Sequence, residues 1–380
     1  MRLIQIRKER ARLFKESFYP SAENAREDSR VNRNYLMEFG WDTHFEDQLS
    51  EQYEVGRVLL EHKHTYRIIC EDGEYVAELT GKFRFEAIEK GNYPAVGDWV
   101  SITKLPEEKK AMIHTVLPRK SSFSRKVAGE KTVEQIVAAN VDYLFLVNAL
   151  NADFNVRRIE RYLLLAYESG AMPVVILTKS DLCTNVEEKI METEAVAIGV
   201  PIFAVDSLQQ TGIDRLKQFL HLGKTVALIG SSGAGKSTLL NALMENEVAK
   251  TGEIRESDSK GKHTTTHREL FQLPSGALVI DTPGMRELQL WEGSGAMHAT
   301  FSDIEEIAQK CRFRDCQHEN EPGCAIRAAI DEGTLEKARL FNYKKLQKEI
   351  AYAMRKQDAL LARAERNKWK SITKQIKKKK

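Results

Sequence analysis

Hydrophobic and polar positions change their pattern three times along the chain, and each change predicts a different kind of structure. Up to about residue 36, charged and apolar residues mix without a period. MEFGWDTHFEDQL then sets Phe39, Trp41, Phe45 and Leu49 at the spacing of one short amphipathic helix. From Tyr53 to Pro118 the runs GRVLLE, TYRIIC, EYVAELTG, GDWVSI and AMIHTVLP are short and β-rich, with Asp72-Gly73 as a hairpin turn. Five such strands suit a small barrel of the OB type, a scaffold that often binds RNA on one face. Tyr66, Arg67, Phe83, Arg84 and Phe85 either supply that face or fill the barrel core.

After Arg119-Lys120, strand and helix alternate. The strand candidates are Val141 to Leu150, Met172 to Asp181, Pro201 to Ser207 and Lys224 to Gly230. Arg157 to Ser169, Ile213 to Leu220 and Thr238 to Glu245 have helical spacing. That alternation predicts right-handed crossovers and a parallel sheet. Further on, FSDIEEIAQK and the long run from Leu335 predict helices on either side of a polar, cysteine-rich loop.

Composition adds three constraints. No apolar run approaches the ~18 residues of a membrane span, and the basic N-terminus lacks a signal peptide's apolar core and cleavage site. A soluble cytoplasmic protein is expected. Three of the five cysteines crowd into one window, which suggests metal ligation in a reducing compartment rather than disulfides. The net charge of +3 is unevenly placed: residues 344–380 carry 14 basic and 3 acidic side chains, and the rest of the chain is net negative. Either these basic residues are solvated helix surface, or they meet the phosphates of a polyanion such as RNA.

The chemistry centres on GSSGAGKST, the stretch Gly230, Ser231, Ser232, Gly233, Ala234, Gly235, Lys236, Ser237 and Thr238. It satisfies G-x-x-x-x-G-K-S/T between a predicted strand and a predicted helix. Such a loop turns backbone N–H groups toward one point at the positive end of a helix, where a triphosphate fits. Lys236 is expected to reach the outer phosphates and Ser237 to ligate Mg²⁺. Downstream, DTPG puts Asp281 where it can hold Mg²⁺ through water and the Gly284 N–H where it can touch the γ-phosphate. Between them lies GKHTTT, whose Thr265 is the candidate for reaching Mg²⁺ only while the γ-phosphate is present. Upstream, TKSD (Thr178, Lys179, Ser180, Asp181) has the form of a base-reading turn, with Asp181 accepting from guanine and Ser207 in a second base loop.

The order is therefore base turn, second base loop, phosphate loop, switch threonine, DTPG. A conventional GTPase starts with the phosphate loop, so this order is a circular permutation. With those motifs, the stretch from about Tyr53 to Tyr352 resembles the ribosome small-subunit-dependent GTPase A family, whose switch signature GKHTTT matches. The resemblance implies an OB-fold, a circularly permuted α/β P-loop GTPase domain and an α-helical zinc-binding domain. The expected boundaries are a partly disordered extension at 1–50, the barrel at 51–120, the GTPase domain at 121–296, the zinc domain at 297–352 and a basic helix or tail at 353–380. Thr178 stands where the base-reading motif of GTPases usually has Asn.

Cys311, Cys316, His318 and Cys324 lie within 14 residues, in a C-x₄-C-x-H-x₅-C spacing. Four such ligands form a closed tetrahedral set for one structural Zn²⁺; the alternative is independent free thiols in a loop. The function expected is GTP hydrolysis coupled to binding and release of the small ribosomal subunit and its rRNA, by a monomer, with Mg²⁺ bound alongside the nucleotide. Met285 follows DTPG where many GTPases place a water-orienting Gln, so slow intrinsic turnover is expected. His263 is either the water-positioning residue or an exposed loop histidine. The rival readings are a nucleotide-gated RNA-binding module with negligible turnover and an ATP-using P-loop enzyme.

Overall fold

Alternation of buried and exposed residues builds the barrel, as β3 shows. Tyr75, Ala77 and Leu79 point inward and Glu74, Val76 and Glu78 outward, the period of two expected for a strand covered on one face. The strands β1 (Glu54–His62), β2 (Thr65–Cys70), β3 (Gly73–Leu79), β4 (Trp99–Leu105) and β5 (Lys110–Val116) pair in the closed circuit β1-β2-β3-β5-β4-β1. This is a five-stranded OB-like barrel, filled by Val58, Tyr66, Ile68, Ile102 and Ile113. Of the aromatic candidates, Tyr66 and Phe83 are core, whereas Phe85 is 89% exposed. Arg84 is also exposed, and Arg67 pairs with Glu269.

The computed structural model describes residues 34–62, 65–86, 90–126, 134–244, 268–281, 294–352 and 354–355. The extension before residue 34 and the tail after 355 lie outside the described residues. No described helix is long and apolar enough to cross a membrane.

The α/β region contributes β8 (Tyr143–Ala149), β9 (Met172–Thr178), β10 (Ile202–Ala204), β11 (Thr225–Gly230), β12 (Glu269–Gln272) and β13 (Leu278–Asp281). They order as β10-β9-β8-β11-β13-β12, parallel except for β12. Each central strand reads as a continuous apolar run because both of its faces are buried. Leu144, Leu146, Val175, Leu177, Ala227 and Ile229 face one apolar cluster. Phe145, Val147, Val174, Ile176, Val226 and Leu228 face the other. β12 also pairs with β1 at Leu60 and Glu269, joining barrel and α/β strands in one sheet. A two-stranded ribbon, β6 (Ser122–Lys126) with β7 (Glu134–Ala139), lies between the two regions in sequence.

Two expected helices take other forms. The MEFGWDTHFEDQL run is not one helix: its Met37 ends a single turn that starts before it, α1 (Asn34–Met37), and Thr43–Glu46 forms a second, α2. Gly40 separates them with φ +81, a left-handed conformation in close contact with the Gly223 carbonyl, and Asp42 is extended and caps α2. Ile213–Phe219 is a 3₁₀ helix that still buries Ile213 and Leu216, three residues apart.

Two buried arginines tie the regions together. Arg57 on β1 is 1% exposed and donates to the Gly97 carbonyl (3.2 Å), the Asn140 carbonyl (3.2 Å), the Phe39 carbonyl and the Thr225 hydroxyl (3.0 Å). One side chain thus joins the barrel, the segment after α1 and the first residue of β11. Burial pulls its pKa down to about 10, with Asp142, Asp98 and Asp42 acting against that, so it stays charged at neutral pH. The second is Arg339, on a helix spanning 337–352. It holds Asp303 through two 2.7 Å bonds and donates to Glu160 at 2.7 Å. Glu160 is fully buried on the long helix Val156–Ser169. Around this pair, Phe301, Ile304, Ile326 and Leu340 pack into the cluster of Ile159, Tyr162 and Leu163.

Arg57→Ala leaves the Phe39 and Asn140 carbonyls and the Thr225 hydroxyl without this donor, while the Gly97 carbonyl keeps the Asn140 amide. Each unpaired buried group costs about 1–3 kcal/mol, so a loss of at least about 3 kcal/mol is expected in urea unfolding. A midpoint within error of the parent chain would show that this guanidinium does not join the regions.

Candidate functional site

In chain order β8, β9 and β10 step outward one way, and β11 then returns to the other side of β8. The reversal opens a crevice beyond the carboxyl ends of β8 and β11, where open α/β sheets bind ligands. The phosphate loop starts there, at Gly230. A Cβ on Gly230 would lie 2.4 Å from the Val147 carbonyl, so only glycine lets the two strands approach at this point. Gly233 and Gly235 turn the loop with φ of +76 and +87, and the next helix (Lys236–Met244) begins at Lys236.

The loop is ordered around its lysine. Lys236 Nζ donates to the carbonyls of Gly230 (2.8 Å) and Ser231 (2.7 Å), which fixes the ammonium over the loop's own mouth. Ser232, Gly233 and Ser237 are exposed, Thr238 is half-buried and Ala234 is fully buried. A glycine-turned loop at a helix start, with a cation and an exposed hydroxyl, suits an anion.

The base turn meets this loop directly. Thr178 ends β9 with 1% exposure, and its hydroxyl donates to the Ala234 carbonyl at 2.6 Å. Gly235 packs against the same side chain: a Cβ there would come within 3.3 Å of Thr178 Oγ1. Lys179 follows in a left-handed conformation (φ +58), and Ser180–Leu182 is a 3₁₀ turn that leaves the Asp181 carboxylate exposed. The second base loop is shaped by Asp206, whose Oδ1 accepts from the N–H groups of Leu208 (2.9 Å) and Gln209 (3.1 Å). The Ser207 hydroxyl in that loop is buried with no hydrogen-bond partner. Asp281 is the last residue of β13, the neighbour of β11 in the sheet. His263, Thr265 and Gly284 lie outside the described residues.

The four metal-ligand candidates also come together. One ligand atom from each of Cys311, Cys316, His318 and Cys324 lies within 4.8 Å of the others, and His318 Nδ1 is 3.6 Å from both Cys311 Sγ and Cys324 Sγ. Bonds of ~2.3 Å to sulfur and ~2.0 Å to nitrogen in a tetrahedron separate such atoms by about 3.5 Å, so the set fits a single ion. His318 takes a left-handed backbone (φ +58) to reach the others. Burial disfavours the Cys311 thiolate, but hydrogen bonds from the N–H groups of Ile326 and Ala325 and from Cys316 and Cys324 together hold the thiol below its ordinary pKa. Glu321 accepts from the N–H groups of Gln317 (2.9 Å) and Glu319 (2.8 Å), which shape the loop and pull its carboxyl down to about 2.

Residues 116–291 match the model of the RsgA GTPase family. The chain is 47% identical over 350 residues to the small ribosomal subunit biogenesis GTPase RsgA of Opitutus terrae, covering 89% of this chain and 95% of that protein. The chain belongs to the RsgA GTPase family. An RsgA protein of Oceanobacillus iheyensis is likewise 47% identical, over 85% of this chain and 93% of its own. Among solved structures, YjeQ from Thermotoga maritima superposes with a TM-score of 0.57 at 29% identity, covering 78% of this chain and 98% of that one. YloQ, described as a circularly permuted GTPase, superposes at 0.56 and 25% identity over 79% of this chain and 95% of its own.

Two features of this RsgA-family chain escaped the sequence reading. Phe341, Lys345, Lys348 and Tyr352 are all exposed on the helix 337–352, Phe341 at 73% and Tyr352 at 66%. Their spacing of i, i+4, i+7 and i+11 makes one aromatic and basic stripe, a pattern already visible in the sequence. The other is a ring of Asp153, Arg158 and Ser231 behind the phosphate loop, for which the sequence carries no signal.

Thr178→Val keeps the side-chain shape and leaves the Ala234 carbonyl unpaired. A stability loss of about 1–3 kcal/mol is expected in thermal or urea unfolding. An unchanged midpoint would mean that the hydroxyl does not support the loop.

Proposed function

We infer that the chain binds GTP at this crevice, hydrolyses it, and acts in the cytoplasm as a monomer on the small ribosomal subunit during its maturation. The observation that carries this reading is the meeting of base turn and phosphate loop through Thr178 and Ala234. The relatives' name, small ribosomal subunit biogenesis GTPase, supports it over most of the chain.

In this reading the loop N–H groups from Ser231 to Thr238 and the Lys236 ammonium bind the phosphates and offset charge on the transferring phosphoryl group. Mg²⁺ bound with GTP supplies further charge neutralisation at the β- and γ-phosphates. Ser237 and Asp281 would hold it, with Thr265 joining them while the γ-phosphate is present, and the Gly284 N–H would meet that phosphate. Thr178, Lys179, Ser180, Asp181 and Ser207 frame the base, and Asp181 selects guanine because adenine leaves its carboxylate without a matching donor pair. His263 orients the attacking water.

The cysteine–histidine cluster holds one structural Zn²⁺, since a polar loop of this length has no core of its own to order it. The exposed Phe341, Lys345, Lys348 and Tyr352 favour RNA as the partner of the C-terminal helix: the lysines meet phosphates and the rings stack on unpaired bases. By linkage, a subunit that binds the GTP form more tightly than the GDP form must favour GTP over GDP in the nucleotide site by the same factor.

The test is phosphate release by the purified chain, with and without purified small subunits. Slow basal turnover and a clear rise with subunits are expected. Ser237→Ala is expected to lower the stimulated rate by at least about tenfold, or ~1.4 kcal/mol of barrier. A rate indifferent to subunits would favour the nucleotide-gated binding module, and equal turnover of ATP would favour the ATP-using enzyme.

A further inference from the structure

The helix Val156–Ser169 meets the phosphate loop at its first turn. Asn155 caps it, its side chain accepting from the Arg158 N–H at 3.1 Å. The Arg158 guanidinium grips Asp153 with two bonds, Nη1 to Oδ2 at 2.7 Å and Nη2 to Oδ1 at 2.9 Å. The same Nη1 donates to Ser231 Oγ at 3.1 Å, and that hydroxyl donates to Asp153 Oδ2 at 2.5 Å. Three side chains thus close a ring on the second residue of the phosphate loop. The Ser231 carbonyl is in turn one of the two that hold Lys236. The helix itself is anchored on its far side, where buried Glu160 accepts from Arg339 and from Asn342 at 2.5 Å.

We propose that Arg158 and Asp153 are positioning residues for phosphoryl transfer, which aim Lys236 by fixing Ser231, and that Arg158 also screens the Asp153 carboxylate from the bound phosphates. This rests on the reading of the crevice as a GTP site.

A carboxylate in contact with a phosphate loop repels the ligand unless it is paired. Hydrogen bonds from Arg158 hold Asp153 below the ordinary carboxylate range, so it is ionised at neutral pH. Arg158 lies only partly buried, with a quarter of its side chain exposed, so its removal is not expected to prevent folding. The two parts of the proposal then separate. Losing Arg158 frees Ser231 and exposes a negative charge to the phosphates, whereas losing both charges frees Ser231 alone.

The experiment measures GTP and GDP affinity and single-turnover kcat for four full-length chains: the parent, Arg158→Ala, Arg158→Lys and the double variant Asp153→Asn with Arg158→Ala. Arg158→Ala is expected to weaken both nucleotides at least about tenfold and to lower kcat as well. The double variant is expected to regain most of the affinity while kcat stays low, because the repulsion is gone and the aim of Lys236 is still lost. Arg158→Lys, which keeps the charge without the planar fork, is expected to recover affinity ahead of kcat. The proposal is overturned if Arg158→Ala changes only the melting temperature, or if the double variant binds nucleotide no better than Arg158→Ala. Absence of GTP hydrolysis in the parent chain would instead count against the proposed function, and the affinity measurements would still decide the screening role.

Discussion

The hydrogen bond from the Thr178 hydroxyl to the Ala234 carbonyl joins the end of β9 to the loop after β11, 56 residues away in the chain. It is short, fully buried and made at the one place where the base turn and the phosphate loop must agree in position. Thr178 here replaces the Asn usual in such base motifs, and its hydroxyl reaches the loop beside Gly235, where a Cβ would crowd it at 3.3 Å. A circular permutation leaves this contact untouched. What the site needs is that β8, β9, β11 and β13 end side by side, and the sheet order secures that whichever strand comes first.

The same logic governs the attachment of the flanking regions. Neither the barrel nor the helical C-terminal region has only a covalent link to the α/β sheet. Arg57 meets the first residue of β11, whose last residue is Gly230. Arg339 meets the helix that starts beside the phosphate loop. Both guanidiniums are buried, and both are satisfied by several acceptors, the condition under which a buried charge is tolerated. The strand and the helix that carry the phosphate loop and its support are therefore each gripped by a different flanking region. The C-terminal region's apolar side chains share a cluster with that helix, so movement of one requires repacking of the other.

Much of this was legible in the sequence, for reasons that can be named. The five barrel strands and the central parallel strands announce themselves through alternation or continuous apolar runs, because their burial is set by a repeating geometry. The phosphate loop and the cysteine–histidine set are legible because their chemistry fixes spacing within a few residues. The break at Gly40 was missed because it depends on a left-handed glycine fitted against Gly223, a contact with no local signature. The β6–β7 ribbon was missed because SFSRK carries no apolar run of its own and gains its place by pairing with Glu134–Ala139. Tyr66 and Phe85 were both open to a core or a surface reading, and only the direction of each side chain separates the two. The buried networks of Arg57, Glu160 and Arg339 join residues far apart in sequence, and no periodicity marks them.

The central claim is that the base turn and the phosphate loop make one site that reads guanine. Competition of unlabelled GTP and ATP against a fluorescent GDP analogue on the purified chain tests it most directly. A site in which Asp181 selects the base by paired hydrogen bonds discriminates strongly, so GTP is expected to displace the probe at a concentration at least about a hundredfold below that of ATP. Displacement by both nucleotides at the same concentration would contradict the account.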